Sequence, residues 1–234
     1  MDITHFYQER GSGEPILFLH GNGESGEYFE HQMDVFAQYF HVYAIDTRGH
    51  GRTPRGNAPF TISQFADDLN AFMDAHEIEH AHILGFSDGG NIALMFAIRY
   101  PEKVDRLILN GANLDPSGVK RKEQEMIEEA YKRALEHEQE GPEARRKAEL
   151  LGLMVNDPHI PEADLAKVTA KTLVIAGTDD MIEEAHTRTI HAGIPGSVLV
   201  FIEGDHFIAS RNPEPFNRTV LDFLLERSQC QDAT

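Results

Sequence analysis

The hydrophobic positions of the chain form short apolar runs rich in β-branched residues, separated by longer amphipathic stretches. This alternation predicts a mostly parallel β-sheet with helices on both faces, because strands buried on both sides read as continuous apolar runs. The predicted strands lie at residues 4–7, 15–20, 41–46, 81–86, 104–110, 172–177 and 198–203. The first is expected to turn at Gly11-Ser12-Gly13 into the second.

Helices are predicted in most of the intervals between these strands. They are expected to begin near Glu27, at Ser63, after Asp88, near Glu183 and near Pro213, the last running to the C-terminus. Ser63 is the expected N-cap of its helix, because a serine hydroxyl can accept a hydrogen bond from a first-turn amide. An apolar stripe of helical spacing follows it, formed by Phe65, Leu69 and Phe72.

One stretch, residues 113–168, breaks the alternation and contains no run typical of a strand. Gly141-Pro142 divides it into two helical patterns, the second over residues 144–155. The first pattern consists of apolar residues at helical spacing: Met126, Ile127, Ala130, Tyr131, Ala134 and Leu135. We therefore predict one α/β core, residues 1–112 and 169–234, with residues 113–168 as a small inserted helical lid.

Composition narrows the classes of function. The chain has 234 residues, enough for one large α/β domain, and its 39 acidic and 21 basic residues give a net charge of −18. Such a charge repels phosphate backbones and anionic lipids, so we expect a small neutral or cationic substrate, and neither nucleic acid nor membrane as partner.

The single cysteine, Cys230, allows no intramolecular disulfide, and no signal or spanning segment is seen, so we predict a cytoplasmic location. The sequence leaves the oligomeric state open.

A candidate nucleophile lies between the strand predicted at 81–86 and the helix that follows it. Gly85-Phe86-Ser87-Asp88-Gly89 matches G-x-S-x-G, in which the serine occupies a tight strand-to-helix turn and small flanking residues expose its hydroxyl. The alternative is a glycine-rich turn with an ordinary surface serine. The order of strand, turn and helix favours Ser87 as the nucleophile.

Serine needs a base to accept its proton, and that base needs an acid to orient it. Of the 13 histidines, His206 follows the last predicted strand, where such a base is expected. Asp180 stands three residues after Gly177 at the end of the preceding strand and completes the order Ser, Asp, His. We predict Asp180 as the acid and Asp179 as a turn residue.

Ester hydrolysis also needs two N–H donors for the oxyanion. The amide of Asp88, directly after the nucleophile, is one candidate. The second is expected in His20-Gly21-Asn22-Gly23, where Asn22 is preferred over Gly23.

Five segments in this order, HGNGESG, DTRGHGRT, GFSDGG, GTDDMI and GDHF, resemble the α/β-hydrolase superfamily over nearly the whole chain. Within it, GFSDGG and NGAN are similar to valacyclovir hydrolase-like bacterial esterases. The resemblance implies a serine esterase that cleaves a small carboxylic ester through an acyl-serine intermediate without metal or other cofactor. It also implies that the Asp88 carboxylate binds the α-amino group of an amino-acid ester; the alternative role of Asp88 is that of a helix cap. Arg48 and His50 are interpreted as structural.

Three lid residues, Met126, Leu150 and Met154, are expected to line an apolar acyl pocket, with core packing as the alternative role for each.

Other classes of function compete with this interpretation. Gly21-x-Gly23-x-x-Gly26 with Asp46 about twenty residues on resembles a dinucleotide-binding fingerprint but leaves Ser87, Asp180 and His206 unexplained. His76, His80 and His82 do not share one face, which argues against a metal site. Carbon–carbon bond hydrolases use the same triad, and a binding protein that turns over slowly would keep it as well.

Overall fold

The computed structural model describes residues 2–226 and contains, within them, a sheet of seven strands. The strands are β1 (Tyr7–Gly11), β2 (Pro15–Leu19), β3 (His41–Ile45), β4 (Ala81–Phe86), β5 (Val104–Asn110), β6 (Lys171–Asp179) and β7 (Val198–Asp205). Their spatial order is β1-β3-β2-β4-β5-β6-β7, and every pair is parallel except the antiparallel pair of β1 and β3. The predicted mostly parallel α/β fold is confirmed.

The helices connect these strands and cover both faces of the sheet. They are α1 (Glu30–Phe36), α2 (Ile62–Ala75), α3 (Asp88–Arg99), α4 (Arg121–His137), α5 (Pro142–Asn156), α6 (Glu184–Gly193), α7 (Ile208–Arg211) and α8 (Pro213–Leu224). A 3₁₀ turn at Gly26–Phe29 precedes α1.

Two hydrophobic cores lie on opposite faces of the sheet because successive strand residues point to opposite sides. In β2, Leu17 and Leu19 join the core that α2 and α3 cover, whereas Ile16 and Phe18 join the core that α1 and α8 cover. Full burial of one such side chain contributes about 1.5–3 kcal/mol, so these two layers hold the strand ends in place.

Two local predictions were wrong. The first strand is β1, not residues 4–7, because this edge strand pairs on one side only and carries a polar sequence with little hydrophobic signal. The N-cap of α2 is Thr61, whose hydroxyl accepts from the Gln64 amide at 3.2 Å. Ser63 lies inside the helix, and its Oγ accepts from Arg99.

The segment between β5 and β6 carries α4 and α5, as predicted for the lid, and contains no strand in the described chain. The two helices touch where Gly152 lies against Tyr131. Arg55 pairs with Glu149 of α5 at 2.9 Å, which attaches this insertion to the loop after β3. The domain boundaries at 113 and 168 stay a prediction.

Within residues 2–226, no helix is long and apolar enough to cross a membrane. Cys230 and the predicted end of the C-terminal helix lie outside the described residues; α8 ends at Leu224.

Candidate active site

The turn between β4 and α3 presents Ser87 in a strained backbone conformation. Its φ and ψ are 53° and −121°, a positive φ that L-residues rarely adopt. A Cβ on Gly85 would collide with the carbonyl of Gly89, and one on Gly89 with the carbonyl of Leu19. The Ser87 amide donates to the Asn110 carbonyl at 2.8 Å, which fixes the turn to the end of β5. The turn therefore has the geometry of a nucleophile elbow.

Asp180 and His206, 26 residues apart, meet beyond the carboxyl ends of β6 and β7. Nδ1 of His206 lies 2.6 Å from Oδ1 of Asp180, and both side chains are buried. Amides of Ile182 and Gly177 also donate to this carboxylate, at 2.9 and 3.3 Å. Burial opposes ionisation of Asp180, but the hydrogen bonds from His206 and the two amides outweigh it and hold its pKa below the usual value. The carboxylate is placed to accept a hydrogen bond from the Nδ1–H group of His206.

The other ring nitrogen of His206, Nε2, is buried and has no hydrogen-bond partner within residues 2–226. The ring packs against Phe86, the residue before the candidate nucleophile, with centroids 4.8 Å apart. Ser87 directly follows the residue whose ring contacts His206, but Ser87 and His206 are not joined by a hydrogen bond in this structure. Such contacts often tighten only when substrate binds.

Asp179, predicted as a turn residue, is the last residue of β6. It is exposed and lies 3.4 Å from the Lys120 ammonium. The predicted strand ended at Gly177, but β6 extends two residues further, because its pairing with β7 continues as far as Asp179 and Asp205.

Gly111, directly after β5, packs against the imidazole ring of His206. Its φ is +62°, and a Cβ built on it would lie 2.7 Å from Cε1 and 2.9 Å from Nδ1 of His206. Only glycine leaves room for the imidazole in this position.

Gly111→Ala is therefore expected to displace the imidazole and lower kcat/KM about a hundredfold or more, because small misplacements of catalytic groups are costly. Gly196→Ala is the matched control: Gly196 has a φ of +69° and nothing within 4 Å of the added Cβ. Both variants should lose about 1 kcal/mol of stability from the positive φ, but only Gly111→Ala should lose activity. Equal kcat/KM for the two variants would contradict this role of Gly111.

The candidate oxyanion donors lie on two neighbouring loops, after β2 and after β4. The Nδ1–H of His20 donates to the Gly21 carbonyl at 2.8 Å, and its Nε2 accepts from the Thr47 amide at 3.0 Å. This buried histidine thereby fixes the loop that carries Asn22. The Asn22 side chain reaches the elbow, since its Nδ2 donates to Oδ2 of Asp88 at 2.9 Å. The roles of the Asn22 and Asp88 amides in the oxyanion hole stay predictions.

The Asp88 carboxylate is buried beside the nucleophile and has neutral donors on both oxygens. Asn22 Nδ2 binds Oδ2 at 2.9 Å, and Asn91 Nδ2 binds Oδ1 at 3.2 Å. Burial raises the pKa of Asp88 to about 6, while the bonds from Asn22 and Asn91 act in the opposite direction.

Of the three predicted lid residues, Leu150 has a contact with the oxyanion loop. Its carbonyl accepts from Asn22 Nδ2 at 3.0 Å, and it lines, with Gly23 and the first half of α5, a cavity of about 790 Å³. Met126 is 54% exposed and Met154 is half-buried, and neither lines this cavity. Charged side chains of α5 also form its wall, so it is less apolar than predicted. The role of all three residues in acyl binding stays a prediction.

The residues of the dinucleotide fingerprint have other uses. Asp46 is buried, and its two oxygens accept from the amides of Gly26 and Arg52 at 2.8 and 2.7 Å. It is therefore not free for a ribose. Arg48, interpreted as structural, is buried and pairs with Asp68 at 2.6 Å. No cluster of three or more metal-ligating side chains occurs in the described part of the chain.

A family model described as alpha/beta hydrolase fold matches residues 14–156. The chain belongs to the alpha/beta hydrolase family. This assignment removes the dinucleotide-binding alternative and agrees with the sheet order and the elbow.

Relatives of this alpha/beta hydrolase differ in their described activities. It is 28% identical to a putative carbamate hydrolase of Azorhizobium caulinodans, over 97% of both chains. Among solved structures it resembles Est816, described as an N-acyl homoserine lactone degrading enzyme, with a TM-score of 0.79, 27% identity and coverage of 94% and 97%. It also resembles a meta-cleavage product hydrolase of Pseudomonas fluorescens, with a TM-score of 0.76, 25% identity and coverage of 97% and 96%.

Two residues of the alpha/beta hydrolase site were missed by sequence reasoning. Gly111 belongs to the NGAN segment, but the sequence does not show that His206 packs against it. Glu24 stood in HGNGESG, and its partial burial beside the site is visible only in the structure.

Proposed function

We propose that this alpha/beta hydrolase is a cytoplasmic serine esterase that cleaves a small carboxylic ester through a covalent acyl-Ser87 intermediate. The observation that carries the proposal is the buried Asp180–His206 pair, 2.6 Å from Oδ1 to Nδ1, beside an elbow that holds Ser87 at a φ of 53°. A serine and a histidine without a catalytic role would not require both a strained backbone at the serine and a buried histidine–aspartate pair.

In acylation, Asp180 keeps the Nδ1 proton on His206, so that Nε2 can accept the proton of the Ser87 hydroxyl. The serine oxygen attacks the ester carbonyl, and the tetrahedral oxyanion is stabilised by the amides of Asn22 and Asp88. His206 then passes its proton to the leaving alcohol, and the ester bond breaks. The acyl group remains on Ser87.

In deacylation the same groups act on water. His206 takes a proton from a water molecule, the resulting hydroxide attacks the acyl carbonyl, and the same two amides hold the second oxyanion. Collapse releases the carboxylic acid, and the proton on His206 returns to Ser87. No group besides water and the ester is consumed.

The proposal is tested with a panel of p-nitrophenyl esters of increasing acyl length, followed at steady state and in the first turnover. We expect sustained turnover of at least one short ester. A single burst equal to the enzyme concentration, without later turnover, would favour the slow binding protein instead.

Carbon–carbon bond hydrolysis is the second candidate, favoured by the resemblance to the meta-cleavage product hydrolase. A carbamate substrate is a related candidate because of the carbamate hydrolase relative. A meta-cleavage product and an aryl carbamate belong in the same panel, and a kcat/KM for either one above that of every ester would replace the esterase proposal.

We further propose that the ester carries an α-amino group, as the likeness of GFSDGG to valacyclovir hydrolase-like esterases implies. Asp88 supports this proposal because its carboxylate is buried beside the nucleophile and, in the part of the chain that the structure describes, its side-chain donors are the neutral amides of Asn22 and Asn91. A buried carboxylate without a counter-charge is unfavourable, and a substrate ammonium would supply that charge. The net charge of −18 also attracts cations.

The wild type is then expected to prefer an α-amino-acid ester over its deaminated analogue by about tenfold or more in kcat/KM, the value of a charge-assisted hydrogen bond. The preference should grow as the pH rises through about 6, where Asp88 ionises. Asp88→Asn should erase it and keep activity on the neutral analogue. Equal kcat/KM for the two esters in the wild type would contradict this role of the carboxylate. Asp88 would then be a helix cap that serves the reaction only through its backbone amide in the oxyanion hole.

A further inference from the structure

Glu24 lies in the loop after β2, two residues beyond Asn22, and no step described above uses it. Its Oε2 accepts from the Gly21 amide at 3.2 Å, and its own amide donates to the Gly21 carbonyl at 3.3 Å. These two hydrogen bonds close the four-residue turn that presents the Asn22 amide. The side chain thus acts on the backbone of the predicted oxyanion loop.

The same carboxylate belongs to the cluster that surrounds the histidine. A Cβ on Gly21 would lie 3.1 Å from Glu24 Oε2 and 3.0 Å from the Phe86 ring, so carboxylate and ring meet over this glycine. The Phe86 ring also contacts His206, at 4.8 Å between centroids, and Tyr28, stacked at 4.4 Å. Glu24 is therefore close to both the oxyanion loop and the base.

Burial raises the pKa of Glu24 to about 7, while the Gly21 amide and the positive charge on His206 act in the opposite direction. The Tyr28 hydroxyl faces the same cluster, and its pKa is raised by burial and by the charges of Glu24, Asp205 and Asp180. Because the folded-state pKa of Glu24 exceeds the ordinary 4.5, its contribution to stability is complete below that pH and is lost as the pH rises through about 7. An acid whose ionisation destabilises the fold beside a catalytic pair points to function rather than packing.

We propose that Glu24 is a positioning residue: its ionised carboxylate holds the Gly21–Glu24 turn so that the Asn22 amide points at the oxyanion, and it stabilises the proton on His206. The inference rests on the proposed acyl-Ser87 chemistry. Oxyanion donors are effective only when they are oriented before the reaction, and a nearby negative charge favours the protonated imidazole. No bond to Glu24 forms or breaks; the proton moves from Ser87 to His206 and then to the leaving alcohol.

The test compares the wild type with Glu24→Ala, Glu24→Gln and the control Glu27→Gln, which alters an exposed acid of the same segment. We measure kcat and KM for p-nitrophenyl butyrate from about pH 5 to about pH 9, and the rate at which a fluorophosphonate labels Ser87. Glu24→Ala should lower kcat about tenfold to a hundredfold and change KM by less than about twofold, somewhat less than the loss of an entire donor.

Glu24→Gln separates positioning from charge, because its amide oxygen can still accept from Gly21 N–H. It should match the wild type near pH 6 and fall several-fold below it near pH 8, since the gain in activity from ionisation of Glu24 at about pH 7 is lost. Its melting temperature should rise relative to the wild type between those pH values. A merely structural role would leave the shape of the pH profile unchanged.

Two outcomes overturn the inference: Glu24→Ala within about twofold of the wild type at every pH, or both Glu24 variants keeping the wild-type pH profile. Labelling separates this failure from a failure of the esterase proposal. If the wild type is not labelled at Ser87, the proposed function fails, and Glu24 with it. If Ser87 is labelled at the same rate in wild type and both variants, only the role of Glu24 is refuted.

Discussion

Ser87→Ala is expected to lower kcat for an ester by about 10⁴-fold or more, because the hydroxyl forms the acyl bond and no other group in the site replaces it. The change removes one oxygen from a half-buried side chain and keeps Cβ, so the strained φ of 53° is equally tolerated by alanine. Stability should therefore change little, by less than about 0.5–1 kcal/mol. Steady-state kinetics and thermal unfolding measure the two effects separately.

Ser12→Ala provides the matched control, because Ser12 is exposed in the turn between β1 and β2. It should keep wild-type kinetics. If Ser87→Ala kept more than about a tenth of the wild-type kcat while remaining folded, another residue would have to be the nucleophile.

Asp180→Asn is expected to have the second-largest effect, a fall in kcat of about 10³- to 10⁴-fold. The Gly177 amide donates to Oδ2 and the Ile182 amide donates to Oδ1, the oxygen that also faces His206, so the single oxygen of asparagine cannot accept from both amides. With that oxygen toward Gly177, the new NH₂ group faces His206. An NH₂ donor opposite Nδ1 favours the tautomer that carries its proton on Nε2, and that tautomer cannot accept the serine proton. The loss should appear in kcat far more than in KM.

Asp179→Asn tests whether the neighbouring acid shares this role. Asp179 is exposed at the end of β6, and its ion pair among the described residues is with Lys120, at 3.4 Å. Its replacement should change kcat by less than about threefold, in keeping with the small value of surface ion pairs. A larger loss for Asp179→Asn than for Asp180→Asn would reverse the assignment of the acid.

The central strands were predicted well because strands buried on both faces of a sheet consist mostly of apolar residues. β4 and β5 carry short apolar runs at their centres, Ile83-Leu84 and Leu107–Leu109, and both strands were predicted with the bounds that the structure gives them. β1 was misplaced because an edge strand with exposed polar residues has no such run. Thr61 and Ser63 are both good caps two residues apart, and spacing alone cannot choose between them.

The site was predictable where motif order and strand ends converge. Asp180 and His206 follow consecutive parallel strands, so the topology itself brings them together. Gly111 and Glu24 were not predictable, because their roles depend on contacts between loops that are distant in sequence. The side chain of Met126 illustrates the same limit: its helical face was recognised, but not that it is 54% exposed.

The most direct test of acyl-Ser87 chemistry is mass spectrometry of the protein quenched in acid during turnover of a slowly deacylating ester. We expect an increase equal to the mass of one acyl group, located by peptide mapping on Ser87, present in Asp179→Asn and absent from Ser87→Ala. A fluorophosphonate should give one adduct at the same residue. Hydrolysis of the ester with an adduct on another residue, or with the acyl adduct retained in Ser87→Ala, would contradict the assignment of Ser87 as the nucleophile.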